Sequence, residues 1–417
     1  MAATRMLGWM ALGTIGVLAL GIALHHATRP APFPPPLVVT VGQSNGPIRV
    51  FPGIGGMVML APDGTLWRWG MAGQRSRALV PTPVGSESNW VQAVCGNNHL
   101  LALRGDGTLW QMGYLGPGQL PSSTLKQVGK ETNWATVAVS DVTTAALQAD
   151  GTLHTWGESM GFGTLGDPTV SSRAAPAPVG SGRWTALDLT GYNAGHCGLT
   201  TNGTLMAWGL ALQPGSTLPE PTPIAPGTGW ITASLLAPLD AHGVLWTFPG
   251  SWPTPSATSA LVRLAEGMAP GRYAVGHREL RTIAPDGALE VRRINRDRHS
   301  GVSVSAPQRL DIGVRWIGLS SSLANQVGVT EDGTVWVWGV DWSEEPTLTP
   351  VSQFKRALHT GLNLFGETFG FGRLSHGLST SATHRSYDDA RPLVRFVIAS
   401  DSDPPTAPAP PTPPPRP

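Results

Sequence analysis

Apolar residues along most of this chain come in short runs, and within a run successive positions face different neighbours. In Thr-Leu-Trp-Gln-Met (108–112) and Thr-Val-Trp-Val-Trp (334–338) the side chains alternate between two faces of an extended segment. A period of two predicts β-strands packed on one side. Gly- and Pro-rich turns separate the runs, and LLALRG (100–105) and AALQAD (145–150) read as partner strands that end at the same turns.

One short phrase recurs seven times: APDGTLWRWG (61–70), RGDGTLWQMG (104–113), QADGTLHTWG (148–157), TTNGTLMAWG (200–209), DAHGVLWTFP (240–249), APDGALEVRR (284–293) and TEDGTVWVWG (330–339). Its turn glycines are Gly64, Gly107, Gly151, Gly203, Gly243, Gly287 and Gly333, at intervals of 43, 44, 52, 40, 44 and 46. Repeats 1 to 7 are numbered by these glycines. Asp-Gly and Asn-Gly tolerate positive φ at both central positions of a type I′ turn, so each phrase is expected to be a β-hairpin with that turn. His242-Gly243 is the weakest instance.

An aromatic residue stands upstream of most turns. Trp90, Trp134, Trp184, Trp230, Tyr273 and Trp316 precede the turn glycine by 17, 17, 19, 13, 14 and 17 positions, and each is expected to open an inner strand. Ahead of it lies a further apolar element, Val or Ile in PTPVGSESNW (81–90), LKQVGKETNW (125–134), APAPVGSGRW (175–184) and PTPIAPGTGW (221–230). Each period of roughly 40–50 residues thus supplies about four short strands, the content of one propeller blade.

With its W-x-x-V-x-x-G-x-x-H-x-L-A-L-x-x-D-G-x-L-W arrangement, NWVQAVCGNNHLLALRGDGTLWQMG (89–113) resembles the repeat of the regulator of chromosome condensation family. GESMGFGTLGD (157–167) is similar to the Gly-rich stretch that follows the Trp-Gly pair in that family. The resemblance covers roughly residues 45–360 and is strong in repeats 1 to 4 and 7. It implies an all-β fold, a seven-bladed β-propeller of four-stranded antiparallel blades around a central channel. Repeats 5 and 6 carry Phe248-Pro249 and Arg292-Arg293 in place of Trp-Gly, so distorted blades are expected there. LVVTVG (37–42) and LVRFVIAS (393–400) are the β-rich segments outside the repeats, and either one is a candidate for closing the ring. Members of the family include a guanine-nucleotide exchange factor, a secreted β-lactamase inhibitor and a plant UV-B photoreceptor, so the fold does not choose a function.

Composition agrees with the pattern and narrows the partners. With 52 Gly and 39 Pro among 417 residues, a helical bundle is excluded. Thirteen of the 16 Trp fall at repeated positions, which points to packing between blades. Lys and Arg number 28 against 27 Asp and Glu, a net charge of +1, so nothing in the overall balance favours nucleic acid as a partner. Two cysteines, Cys95 and Cys197, allow one bridge at most; two buried free thiols are the expected state.

Residues Met6 to Leu24 contain no charged side chain and are long enough to span most of a hydrocarbon core of about 30 Å. An uncleaved signal anchor or transmembrane helix over 1–28 is expected, with the bulk of the chain outside the cytoplasm; Ala19, Gly21 and Ala23 leave secretion after cleavage as the alternative. A Pro-rich spacer (29–36), a propeller (37–399) and a solvated Pro-rich tail (400–417) complete the expected organisation.

Several strings imitate catalytic motifs. GQSNG (42–46) has the letters of a nucleophile elbow around Ser44, but Pro47 and Pro52 preclude the helix that must follow. GFGTLG (161–166) matches a dinucleotide fingerprint without a βαβ unit around it. Arg104-Gly105-Asp106 and Asn202-Gly203-Thr204 spell an adhesion tripeptide and a glycosylation sequon, yet both belong to the hairpin turn. His99, His196 and His277 lie in the neighbourhood of the family's Gly-x-x-His in alternate repeats; a shared zinc needs ligands within about 2.1 Å of the ion, and blades across a seven-fold ring hold their inner strands too far apart, so buried structural histidines are expected instead. No catalytic constellation, cofactor site or metal site is expected.

One departure from neutrality remains. Between Arg272 and Arg315 nine Arg face five acidic residues, and RRINRDRHSG (292–301) is expected to lengthen a loop on repeat 6. Arg suits bidentate recognition of acidic groups and is enriched at interfaces, so Arg292, Arg293, Arg296, Arg298 and His299 are the candidate partner-binding residues. The functional expectation is a membrane-anchored, extracytoplasmic scaffolding or protein-interaction module, an accessory subunit of a membrane assembly with an acidic or membrane-embedded protein partner. A ligand-binding, inhibitor or enzyme propeller using the channel mouth is the alternative.

Overall fold

The computed structural model describes residues 36–340 and 386–398, apart from short loop stretches such as 42–45, 71–77, 189–194, 249–260 and 298–300. Among the described residues every regular element is a strand, and no helix is long and apolar enough to cross a membrane. The expected anchor and tail, the spacer as far as Pro35, Ser44, His277, Arg298 and His299 lie outside the described residues.

The repeated phrase is a hairpin, but its turn is not the expected type I′. In repeat 2 the Gly107 N–H donates to Arg104 O and the Arg104 N–H to Thr108 O, each at 3.0 Å, which leaves a three-residue loop. Repeats 1, 4, 5 and 6 bond in the same way at Gly64, Gly203, Gly243 and Gly287. The turn glycines have φ between 76° and 86°, so each hairpin ends in a left-handed glycine of the G1-bulge kind. Pro62 and Pro285 suit the turn that forms: a ring that holds φ near about −65° fits the first central position of a type I turn, which the left-handed glycine then closes.

Repeat 2 displays the common sheet: Trp90–Cys95, His99–Arg104, Leu109–Gly113 and Ser122–Gln127, antiparallel and in that order. The second and third strands are buried on both faces, not on one. Leu100, Ala102 and Met112 pack against Val58, Leu60 and Leu66 of repeat 1, while Leu101, Leu103 and Leu109 pack against Trp134, Val137 and Trp156 of repeat 3. Strand alternation therefore serves two neighbouring sheets rather than one core and solvent. The same face-to-face packing joins repeats 3 and 4, 4 and 5, 5 and 6, and 6 and 7. Met57, Met59 and Trp69 of repeat 1 meet Val327, Val329, Val335 and Val337 of repeat 7. The arrangement is that of a β-propeller.

The two candidate closing segments both join the sheet of repeat 7. Leu37–Val41 runs parallel to Ser386–Ile398, which pairs antiparallel with Thr334–Val340. Val394 is fully buried and Phe396 nearly so, with its ring 5.8 Å from that of Trp67 in repeat 1. Ser322 Oγ and Asn325 Nδ2 donate to Gly53 O at 3.1 and 3.3 Å, tying the same two sheets near their inner strands.

Repeats 3 and 4 share one strand, Ser172–Asp188, whose first part pairs with Thr152–Glu158 and whose last part pairs with His196–Thr200. Repeat 5 is reduced, as its shortened sequence suggests. Its regular sheet is Leu245–Thr247 with Val262–Ala265, extended by the bridges Trp230 to Asp240 and Leu239 to Leu245. Pro238 lies in what is an inner strand elsewhere and cannot donate to a ladder. Repeat 6 keeps a sheet of Tyr273–Val275, Glu279–Ile283, Leu289–Asp297 and Gln308–Leu310. RRINRDRHSG is not a lengthened loop. The third strand runs on to Asp297 and folds back as Gly301–Val304, and Ile294, Val302 and Val304 cover the apolar face of repeat 5.

Candidate functional site

The hairpin tips carry a hydrogen-bonded chain built from Asp-Gly-Thr-x-Trp. Asp63 Oδ1 accepts from the N–H and the hydroxyl of Thr65, and Trp67 Nε1 donates to Thr65 Oγ1 at 2.9 Å. Asp106, Thr108 and Trp110 repeat it. Asn202 does the same work with Thr204, so its amide oxygen belongs to the turn.

In repeat 2 the first turn residue, Arg104, places its guanidinium 4.9 Å from the centre of the Trp90 ring and 4.5 Å from that of Trp110, with Glu87 3.5 Å away as counter-ion. The arginine of the Arg-Gly-Asp string is thus held between two indoles instead of being presented. In repeat 5 the corresponding aromatics are Trp230 and Trp246, but the first turn residue is Asp240. Its Oδ2 accepts the Trp246 indole N–H at 2.8 Å, and its Oδ1 accepts the backbone N–H of His242 and Val244 at 2.9 Å. Burial pushes this carboxyl up, but the three hydrogen bonds outweigh it and hold it below the usual carboxylate range, so it is ionised at neutral pH. A cleft of about 390 Å³ opens here, lined among others by Trp230, Asp240, His242, Trp246 and Leu261. From the sequence Trp230 and His242 have only structural places, in a strand and a turn, and Asp240 has none as a site residue. The signal was an acid at the turn position where repeat 2 has an arginine, visible only once the turn register is known.

The Arg-rich stretch divides into structural and free side chains. Arg281 is buried, 2.6 Å from both Glu279 and Gln326 Oε1 and 4.9 Å from the Trp338 ring centre. Arg292 stands where other repeats have Trp and bonds Thr282 Oγ1 at 2.8 Å and Glu290 at 3.3 Å. Arg296, offered as a surface contact, reaches into repeat 5 and donates to Thr247 Oγ1 at 3.0 Å and Phe248 O at 3.2 Å. Burial lowers its pKa, a desolvation that a solvated loop arginine does not undergo. Arg309 pairs with Asp286, Arg315 with Glu331, and Arg272 caps the carbonyls of Ile283 and Ala284. Arg293 and Arg278 remain exposed; Arg293 lies opposite Glu279 in the ladder, and Arg278 immediately precedes the strand that Glu279 opens.

His99 and His196 are buried, and burial lowers them to about 4 and about 3. His99 Nε2 lies 3.4 Å from Thr144 Oγ1 of the next sheet, and His196 packs 5.6 Å from the Trp208 ring. Among the described residues no group of three or more His, Cys, Asp or Glu converges as metal ligands do. Cys95 and Cys197 are free and buried; burial pushes the Cys95 thiol up to about 12. In GFGTLG, Thr164 and Leu165 are buried and Thr164 O accepts the Trp208 indole N–H at 3.0 Å, so the string packs repeat 3 on repeat 4.

No family model and no curated protein matches the sequence. Among solved structures the chain is similar to Prp20p from Saccharomyces cerevisiae, with 16% identity over 72% of this chain and 71% of that one and a TM-score of 0.40. Human WBSCR16 is 15% identical over 72% and 78%, with a TM-score of 0.41. BamB from Moraxella catarrhalis is 13% identical over 70% and 84%, with a TM-score of 0.40.

Proposed function

We propose that this chain is a seven-bladed β-propeller of the regulator of chromosome condensation type that works as a protein-interaction module. Seven sequence repeats, with apolar clusters running from each sheet to the next and from the last to the first, support the blade count. The observation that carries the interaction reading is the contiguity of what departs from the repeat. Repeats 5 and 6 are neighbours, and an added hairpin from one braces the other. Arg278 and Arg293 are left exposed where that hairpin begins. A rigid frame with exposed guanidinium groups at the base of an added hairpin suits a partner surface bearing carboxylates.

The proposal places the propeller outside the cytoplasm on the N-terminal apolar segment, as a non-enzymatic subunit of a membrane assembly. Its test is purification of the tagged full-length chain from native membranes in detergent, beside the Arg278→Ser, Arg293→Ser double variant. A partner recovered in fixed ratio with the wild type and lost from the double variant is the expected result. An unchanged partner set in the variant, or recovery of the wild-type chain alone, overturns the reading. Retention in the membrane pellet through alkaline carbonate is the expected behaviour of an anchored chain; release into the supernatant overturns the anchor.

A further inference from the structure

We propose that the cleft of repeat 5 binds an organic cation, a quaternary ammonium or guanidinium group held between Trp230, Trp246 and the Asp240 carboxylate. The inference stands apart from the arginine surface of repeat 6 and comes from a comparison inside the molecule. Repeat 2 fills the equivalent place with its own cation: Arg104 sits within 5 Å of two indole centres and is balanced by Glu87. Repeat 5 retains both indoles, puts an acid where the arginine was, and leaves a cleft of about 390 Å³. That volume is in the range of small-molecule sites. Carboxylate and indole faces both favour a positive guest, the first through its charge and the second through its quadrupole.

Two further details fit. Three protein hydrogen bonds end on Asp240, whereas a carboxylate offers about four lone-pair directions, so the group keeps capacity for a donor from the cleft. Trp246 also accepts a cation within the chain, because Arg263 Cζ stands 5.6 Å from its ring centre while Arg263 itself lies outside the lining of the cleft.

The test is ligand-observed NMR or calorimetry on the full-length chain with choline chloride, N-acetyl-L-argininamide, and the uncharged choline isostere 3,3-dimethylbutan-1-ol. At least one cation should bind about tenfold or more tightly than the neutral isostere. Asp240→Asn keeps one acceptor oxygen and should cost about tenfold in that affinity. His242→Arg leaves the acid and both indoles in place, tethers a guanidinium at the cleft mouth, and should abolish binding of either probe. Preference for choline identifies a free small-molecule cation, and preference for the arginine amide identifies a side chain of a partner. Binding of both cations no tighter than that of the neutral isostere, no binding of either cation, or full affinity in both variants overturns the proposal.

Discussion

Asp240 accepts the indole N–H of Trp246 directly at 2.8 Å, a bond that in repeats 1 and 2 runs through an intervening threonine hydroxyl. Repeat 5 has Val244 at the threonine position, and the acid has moved from the third turn residue to the first. One carboxylate thereby ties the turn and the strand after it. Asp240→Ala removes the acceptor for three donors and should lower stability by about 1–3 kcal/mol; Trp246→Phe, which deletes one donor, should cost less than half as much. Urea denaturation of the two variants checks the ranking, and a larger loss for Trp246→Phe contradicts it.

Gly107 and Gly301 both have positive φ, 78° and 82°, but different surroundings. A Cβ on Gly107 lands 2.1 Å from Thr132 O, whereas at Gly301 nothing lies within 4 Å. Gly301→Ala should therefore cost only the left-handed backbone penalty of about 1–2 kcal/mol. Gly107→Ala adds a backbone clash and should cost about 3 kcal/mol or more. Thermal melts of the two variants separate steric from conformational strain, and equal losses contradict the assignment.

The repeat glycines and aromatics made the sheets legible in the sequence, because each marks a position where the backbone or the stacking leaves no choice. The turn type was not legible from Asp-Gly alone, which does not say where the loop begins; Pro62 and Pro285, suited to the first central position of a type I turn, carried that information. The roles of the arginines were hidden for a different reason. Arg281, Arg292 and Arg296 meet partners 45, 10 and 49 residues away, on another strand or another sheet, and no local pattern announces such contacts. The cleft of repeat 5 needed two registers at once, its own and that of repeat 2.

The propeller closes through Phe396, which is 3% exposed, packs edge-on to Trp67 and donates its N–H to Gly333 O at 3.1 Å. Phe396→Ala leaves a cavity between the first and last sheets and should cost about 3–5 kcal/mol. Hydrogen exchange should accelerate first in Asn325–Thr330 and Gly56–Leu60, the strands on either side of that seam. Exchange that rises equally in repeat 3 means closure is not local to this pair.

Burial lowers His99 to about 4 and His196 to about 3, against an ordinary value of 6.5, so both are neutral in the fold at neutral pH and protonate in the unfolded chain first. Above pH 6.5 they contribute no pH dependence. As pH falls below 6.5 the unfolded state takes up their protons, and stability declines until each folded-state pKa is reached. At pH 5 the loss is about 2 kcal/mol for each histidine. The capping acids, among them Asp106, Asp150 and Asp332, are held below 3.8 and lose their contribution only at lower pH, so the window from 6.5 to 5 isolates the histidines. Denaturation at pH 7 and pH 5 should show a smaller difference for His196→Gln than for the wild type; an unchanged difference contradicts the burial of a neutral imidazole.

Arg293 and Arg296 are three residues apart on one strand yet belong to different tasks. Arg296 donates to Thr247 Oγ1 and Phe248 O, so Arg296→Ser unties the added hairpin from repeat 5 and leaves buried acceptors without a donor, at a cost of about 2 kcal/mol. Arg293 is exposed, and Arg293→Ser should leave the melting temperature within about 1 °C of the wild type. In partner capture the order reverses: Arg293→Ser should weaken association while the fold is intact, and raising salt from low to physiological ionic strength should weaken the wild-type complex in the same direction. If Arg293→Ser lowers stability as much as Arg296→Ser does and leaves capture untouched, the exposed guanidinium is part of the frame and the interaction surface lies elsewhere on the propeller.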